Sequence, residues 1–305
     1  MSHRLIFFGN ERLATGVTTR LPVLQALINH DYEIAAIVTG SQAATSRRHR
    51  PLEVADFAQQ HQIPLLTSIT VTDIAKLDAS LGVLVAYGRM VPTAVIEAFS
   101  NGIVNLHPSL LPLHRGPIPL EAAILAGAPE TGLSLMKLAP AMDAGPAYRQ
   151  VNVPLDGAES KQALADRLGA LGAEELIKYL PAILDGSLSP QPQDDTKASY
   201  DQRLTKTAGQ IDWSLPAVKL ERQIRAFAGW PGSQTFMAGT SVTITSAHVA
   251  PTPDGTSSQP GTITATSQQL AVQTGDGLLI IDSLKPAGSK DMPAQAFLAG
   301  HRMPN

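Results

Sequence analysis

Asn105 and His107 stand two residues apart at the end of a Gly-Ile-Val run, Gly102 to Val104, and lead into Pro108-Ser109-Leu110-Leu111-Pro112. Alternate residues of a strand point to the same side. One cleft can therefore receive both a carboxamide donor and an imidazole. The two prolines bracket a stiff turn, and Leu110 and Leu111 can supply an apolar wall. Such a set suits a site that must orient a flat organic ligand and polarise a carbonyl.

An Asn-x-His at a strand end also arises as plain structure, each side chain satisfied by backbone partners. A second element adds weight to the chemical reading. Thr131 to Leu138 reads as another strand, and the loop from Ala139 to Pro146 carries Asp143 between Met142 and Ala144. An Asp among small residues can be a turn former. Carried on the neighbouring strand ends of a parallel sheet, though, a carboxylate, an imidazole and a carboxamide form a working acid–base cluster.

With Asn105, His107, the Ser109-Leu110-Leu111-Pro112 stretch and the distant Asp143 in place, the chain resembles the 10-formyltetrahydrofolate-dependent formyltransferases. His114-Arg115-Gly116-Pro117-Ile118-Pro119 and Ala123 to Gly127 match that group's usual continuation, and Leu84 to Gly88 its folate-side strand. Toward the end of the chain, Gly209 to Trp213 and Ile224 to Gly232 resemble the opening of the C-terminal domain found in the branch acting on tRNA. Pro286 to Met292 and Phe297 to Gly300 resemble the close of that domain. Two departures stand out. Gly9-Asn10-Glu11 replaces the usual Gly-Thr-Pro after the first strand, and the arginine-bearing loop after the second strand is short.

The resemblance implies a Rossmann-like parallel-sheet formyltransferase domain followed by a small OB-like β-barrel domain. It implies formyl transfer from 10-formyltetrahydrofolate, as donor co-substrate and with no metal, to the α-amino group of methionyl-initiator tRNA. Asn105, His107 and Asp143 would be the catalytic residues. Ser109, Leu110, Leu111, Pro112, Tyr87 and Gly88 would meet the folate, and Arg47, Arg48 and Arg50 would contact the tRNA. A monomer is expected. The family also holds sugar-nucleotide N-formyltransferases and formyltetrahydrofolate hydrolases, which use the same trio and remain the alternatives. A purine-pathway formyltransferase fits less well, because it lacks the last third of such a chain. An RNA-binding protein with a degenerate catalytic domain is the non-enzymatic alternative, and the intact trio speaks against it.

Composition agrees with this class. A chain of 305 residues suits two domains, each with its own core. There is no cysteine, which removes disulfides, thiolate catalysis and cysteine-based metal sites together. The first apolar run, Leu5 to Phe8, is too brief for a signal-peptide core, and no apolar stretch approaches membrane-spanning length. The expected setting is cytoplasmic, away from membranes. The formal net charge is only −3, so a polyanion partner has to be met by a local feature. Arg47-Arg48-His49-Arg50, after the small-residue stretch Ser41 to Ser46, is that feature. By composition alone it reads as a solvated loop; the resemblance makes it a tRNA contact.

Strand-like runs at Leu5 to Phe8, Ile34 to Thr39, Leu81 to Tyr87 and Gly102 to His107 alternate with helical patterns. The latter fall at Pro22 to His30, Leu52 to Gln60 and Ala94 to Phe99. Alternation of this kind predicts a parallel sheet with helices on both faces. Leu120 to Ala126 predicts a short helix closed by Gly127, and Ala158 to Leu184 a long amphipathic one. Residues 1–188 form the expected catalytic domain. A Pro-, Ser- and Gln-rich linker spans 189–203, and residues 204–305 hold the barrel, whose alternating Thr, Ser, Val and Ile begin at Thr240.

The turn after the first strand, Gly9-Asn10-Glu11, has no Gly-x-Gly-x-x-Gly, and Glu11 would repel a pyrophosphate at a helix N-terminus. A nicotinamide oxidoreductase is therefore a poor reading. Ser109 lacks the Gly-x-Ser-x-Gly context of a nucleophile, and the histidines show no metal-ligand spacing.

Overall fold

The computed structural model describes residues 4–40, 52–251, 259–266 and 269–301. Arg47, Arg48 and Arg50 lie outside the described residues. The chain divides into two compact units. One comprises residues 1–120, 129–156 and 162–203; the other comprises 121–128, 157–161 and 204–305.

The first unit is built on a seven-stranded sheet in the order β3-β2-β1-β4-β5-β6-β7. The strands are β1 (Arg4–Gly9), β2 (Glu33–Val38), β3 (Leu65–Leu66), β4 (Leu81–Val85), β5 (Ile103–His107), β6 (Glu130–Lys137) and β7 (Ala147–Pro154). Leu5, Ile6, Phe7 and Phe8 of β1 are all buried, as a strand covered on both faces requires. Interspersed are α1 (Pro22–Asn29), α2 (Glu53–Gln60), α3 (Val71–Leu77), α4 (Thr93–Glu97) and α6 (Lys161–Leu184), while α5 (Pro119–Ala126) falls mostly in the second unit. Gly127, at φ +59, closes α5 by donating its N–H to Ile124, the left-handed cap that glycine favours.

β1 to β5 pair in parallel, but β5 with β6 and β6 with β7 pair antiparallel. β1 to β5 are the expected parallel sheet, and β6 and β7 extend it with an antiparallel edge. The register sets Val104 beside Lys137 and His107 beside Ser134. β6 thus ends next to the start of β5, and the loop carrying Asp143 must double back along β5 to reach His107. Strand order reverses between β1 and β4, the kind of switch point where open α/β sheets hold ligands beyond their strand ends.

The second unit contains α7 (Ala217–Ala226), β8 (Ser233–Met237), β9 (Thr240–Ala250), β10 (Ile263–Ala265), β11 (Leu270–Gln273), β12 (Leu278–Pro286), β13 (Met292–Pro293) and α8 (Ala294–Gly300). Its strands pair antiparallel in the order β10-β11-β12-β9-β8, with β13 against β12. Register shifts along β9 and β12 bend the sheet into a half-barrel. Leu220, Ile224, Val242, Ile244, Leu270, Leu279, Ile281 and Phe297 fill it. Among the described residues no helix is long and apolar enough to cross a membrane.

Candidate active site

β5 is buried along its whole length, and its last turnout is the polar pair: Asn105 is 5% exposed and His107 6%. Asn105 makes no side-chain hydrogen bond to any described residue. The carboxamide, with neither amide atom sealed off from solvent, stays open on one side. It is suited to a partner that the protein does not itself supply.

His107 is held from both sides. Nε2 lies 3.0 Å from the carbonyl oxygen of His114. A carbonyl only accepts, so Nε2 carries the proton of that bond. Nδ1 is left to face Asp143, whose Oδ1 is 3.6 Å away, just beyond direct hydrogen-bond length. Asp143 itself has φ +49, a left-handed conformation that Asp tolerates better than most residues. Its Oδ2 accepts the Gly116 N–H at 2.8 Å. The turn from His114 to Gly116 therefore anchors the imidazole through one residue and the carboxylate through another.

Glycine is required twice here. Gly116 has φ +117, and a Cβ there would sit 2.5 Å from the carbonyl oxygen of Asp201; a Cβ on Gly145 would fall 1.9 Å from that of Lys137. Both are backbone approaches that only the missing side chain permits.

The turn after His107 is spent on packing. Ser109 is fully buried, and its hydroxyl donates to the Leu113 carbonyl at 2.7 Å. Ser134 of β6 donates to the Ser109 carbonyl and accepts the Leu111 N–H, at 2.7 and 3.1 Å. Gln150 of β7 donates to the Leu111 carbonyl at 2.5 Å. Leu111 is buried, and Leu110 lies against the backbone of Gly132. Pro112, joined to Leu111 by a cis bond, accepts the Ser199 N–H through its carbonyl. The Ser109–Pro112 segment thus sets the floor behind His107, with Ser109 and Leu111 turned into the fold and Leu110 and Pro112 partly exposed.

Tyr87 and Gly88 lie differently. Leu84 pairs with Asn105, so the residues just past β4 emerge at the same sheet end as His107. Tyr87 is half-buried, its ring edge-on to Phe8 at 5.7 Å, and burial pushes its phenol above the usual value. Gly88, at φ +70, has open space where a side chain would stand. This end of the sheet offers an aromatic wall, bare backbone and the unpaired carboxamide. Among the described residues no group of three or more His, Cys, Asp or Glu side chains could hold a metal ion.

Three features escaped the sequence reading. Ser134 and Gln150 stitch the turn down, although nothing in their spacing marks them. Arg115 is 2% exposed and donates to Gln193, Asp195 and Tyr200. Glu11 is buried at the start of α1, where its two carboxylate oxygens accept the N–H groups of Val23 and Leu24 at 2.9 and 2.8 Å. The chain supplies its own anion to that helix end.

The chain as a whole is similar to known proteins. The model of a family described as formyl transferase matches residues 18–180, and that of the formyl transferase C-terminal domain matches residues 203–302. A protein of Roseiflexus castenholzii named methionyl-tRNA formyltransferase is 37% identical, over 99% of this chain and 97% of its own. Among solved structures, an N-formyltransferase from Helicobacter canadensis, in complex with folinic acid and dTDP-3-aminofucose, superposes with a TM-score of 0.70. It is 16% identical, covering 96% of this chain and 100% of its own. HypX from Aquifex aeolicus, in complex with tetrahydrofolic acid, superposes at 0.68 with 17% identity, covering 98% of this chain and 47% of its own.

Proposed function

The chain belongs to the formyl transferase family, and on that premise we propose that it transfers the formyl group of 10-formyltetrahydrofolate to the α-amino group of methionyl-initiator tRNA. The single observation that carries the chemistry is the convergence on β5 and its facing loop of a buried, unpartnered carboxamide, an oriented imidazole and a carboxylate. Identity of 37% over nearly the full length of a methionyl-tRNA formyltransferase supports the choice of acceptor.

In this reading the unprotonated amine attacks the formyl carbon, and a tetrahedral intermediate forms with negative charge on oxygen. Asn105 donates to that oxygen; a preorganised donor of this kind typically contributes about 2.7–4 kcal/mol. Asp143 accepts the proton that the ammonium loses and hands it to Nδ1 of His107, whose Nε2 is committed to His114; Nδ1 passes that proton to N10 of the folate as the C–N10 bond breaks. The products are formylmethionyl-tRNA and tetrahydrofolate, and no covalent enzyme intermediate is needed.

The donor's flat ring system fits the sheet end at Tyr87 and Gly88, with its polar edge on backbone groups. Ser109, Leu110, Leu111 and Pro112 shape that pocket from behind. Arg47, Arg48 and Arg50 supply the positive charge for the acceptor stem, with residues 204–305 as the tRNA-binding domain, 1–188 as the catalytic one and 189–203 joining them. The reading takes a cytoplasmic monomer, working away from membranes, as the acting form.

A formylation assay tests the proposal. Purified protein and 10-formyltetrahydrofolate are offered methionine-charged initiator tRNA, uncharged tRNA, and nucleotide-linked amino sugars in parallel. Formyl transfer to the charged tRNA alone is the expected result. Transfer to an amino sugar, the class of ligand held by the Helicobacter canadensis neighbour, or formate release without any acceptor would replace it with one of the two alternatives.

A further inference from the structure

The stretch with linker composition is bonded along its length to the rear of the site. Gln191 exchanges backbone hydrogen bonds with Ala147; Ser199 accepts the Arg115 N–H; Asp201 donates to the Arg115 carbonyl. Ser199 Oγ accepts the His114 N–H at 2.8 Å, and Asp201 Oδ2 lies 2.9 Å from His114 Nδ1. The same three residues, His114 to Gly116, hold His107 and Asp143.

Gln193 closes the circuit. Its Oε1 accepts from Arg115 Nε and Nη2 at 3.2 and 2.8 Å, while its Nε2 donates to the carbonyls of Asp143 and Gly145 at 2.8 and 2.6 Å. One amide thus links the turn that receives the Asp143 carboxylate to the main chain that bears it. Asp195 completes the buried guanidinium at 2.6 Å, and Tyr200 accepts from it at 2.7 Å.

We propose that residues 193–201 are a positioning clamp for the reaction, with Gln193 the residue that fixes the Asp143 loop against the His114–Gly116 turn. The proposal rests on the formyl-transfer reading for its rate effects, and on the bonding alone for its structural ones. A fully used side-chain amide, two acceptances and two donations, is a geometric lock. A misplacement of about 1 Å at a catalytic group costs roughly 10²-fold in rate.

Two substitutions in the full chain separate positioning from mere packing. Gln193→Ala removes all four bonds. Gln193→Glu keeps the volume and a stronger partner for Arg115, so the strap stays docked, but it turns oxygen toward the Asp143 and Gly145 carbonyls. Gln193→Glu, which keeps the Arg115 bonds, should melt near the parent, and Gln193→Ala, which leaves part of the guanidinium unpaired, below it. In formylation of methionyl-tRNA both should lose roughly 10²-fold in kcat, with KM for donor and acceptor unchanged. Hydrogen exchange at the Gly116 amide, whose acceptor is Asp143, should quicken in both, and that readout needs no substrate. A Gln193→Glu protein with parental kcat and parental Gly116 exchange overturns the clamp. So does a rate loss that appears only with a lowered melting temperature or a raised KM. If the parent formylates no methionyl-tRNA, the acceptor reading fails by itself, and Gly116 exchange still decides the clamp.

Discussion

The carbonyl of His114 lies 3.0 Å from Nε2 of His107, and this bond decides which ring nitrogen is free to work. His107→Gln places an amide N–H near the position of Nε2 while removing Nδ1. It should fold like the parent and lose about 10²–10⁴-fold in single-turnover formyl transfer. Stopped transfer followed by product quantification checks this. A His107→Gln enzyme with normal turnover would show that Nδ1 has no part in the step.

Asn105→Ala separates activity from stability. Because the carboxamide has no bond to a described residue, its removal should leave urea unfolding nearly unchanged. Single-turnover rate should fall by about 10²–10³-fold, the usual loss on deleting one oxyanion donor. A large stability loss would instead mark Asn105 as structural.

Gly116→Ala should cost both fold and rate. At φ +117 an added Cβ meets the Asp201 carbonyl at 2.5 Å, so the turn must shift and take its N–H away from Asp143. Reduced kcat and a lower melting temperature are both expected, measured on the same preparation.

Glu11 gives the protein a pH signature outside the site. Burial raises its carboxyl from 4.5 to about 7, against the lowering effect of the Leu24 and Val23 N–H groups. A raised folded value means the folded state holds the proton more tightly. That stabilisation is complete below about pH 4.5 and is lost as pH climbs through about 7. Glu11→Gln removes the titration. Between those limits the parent should lose about 3 kcal/mol of unfolding free energy relative to the variant, read from denaturant curves across pH. Parallel pH profiles for the two proteins would refute this.

Glu121 and Lys161 form a pair only 3.3 Å apart, each 1% exposed. Burial raises the carboxyl and lowers the ammonium, while each partner opposes the shift of the other. Lys161 Nζ also donates to the Trp230 carbonyl at 3.1 Å. Breaking such a pair from one side typically costs about 3–5 kcal/mol. Lys161→Met should therefore destabilise strongly, and Lys161→Met combined with Glu121→Leu should recover much of the loss. Denaturant unfolding of the three variants measures the coupling.

What the residues disclosed in advance follows from burial. β5 and its Asn-x-His ending were legible because an apolar run flanked by turn-formers can hardly be anything but an inner strand. β4 and β1 were legible for the same reason. β7 was missed: Ala-Tyr-Arg-Gln-Val-Asn-Val-Pro is an edge strand that is mostly unburied, so its pattern carries neither a run nor an alternation. The antiparallel turn of the sheet was missed with it, since no local pattern states which neighbour a strand takes. Glu11 reads in the sequence as a residue that repels anions, yet its own carboxyl occupies the helix end. Gln193 and Asp195 sit among prolines and serines whose composition suggests solvent, and only the buried guanidinium of Arg115, distant in sequence, reveals what they hold.

The strap from 191 to 201 also bears on where the chain can be divided. A catalytic piece cut at residue 188 would strip the Arg115 guanidinium of its bonds to Gln193, Asp195 and Tyr200. A piece carried through Arg203, where the first compact unit ends, retains every one of those acceptors. Proteolysis between 189 and 200 would accordingly cut the bonding around Arg115 as well as the passage to residue 204.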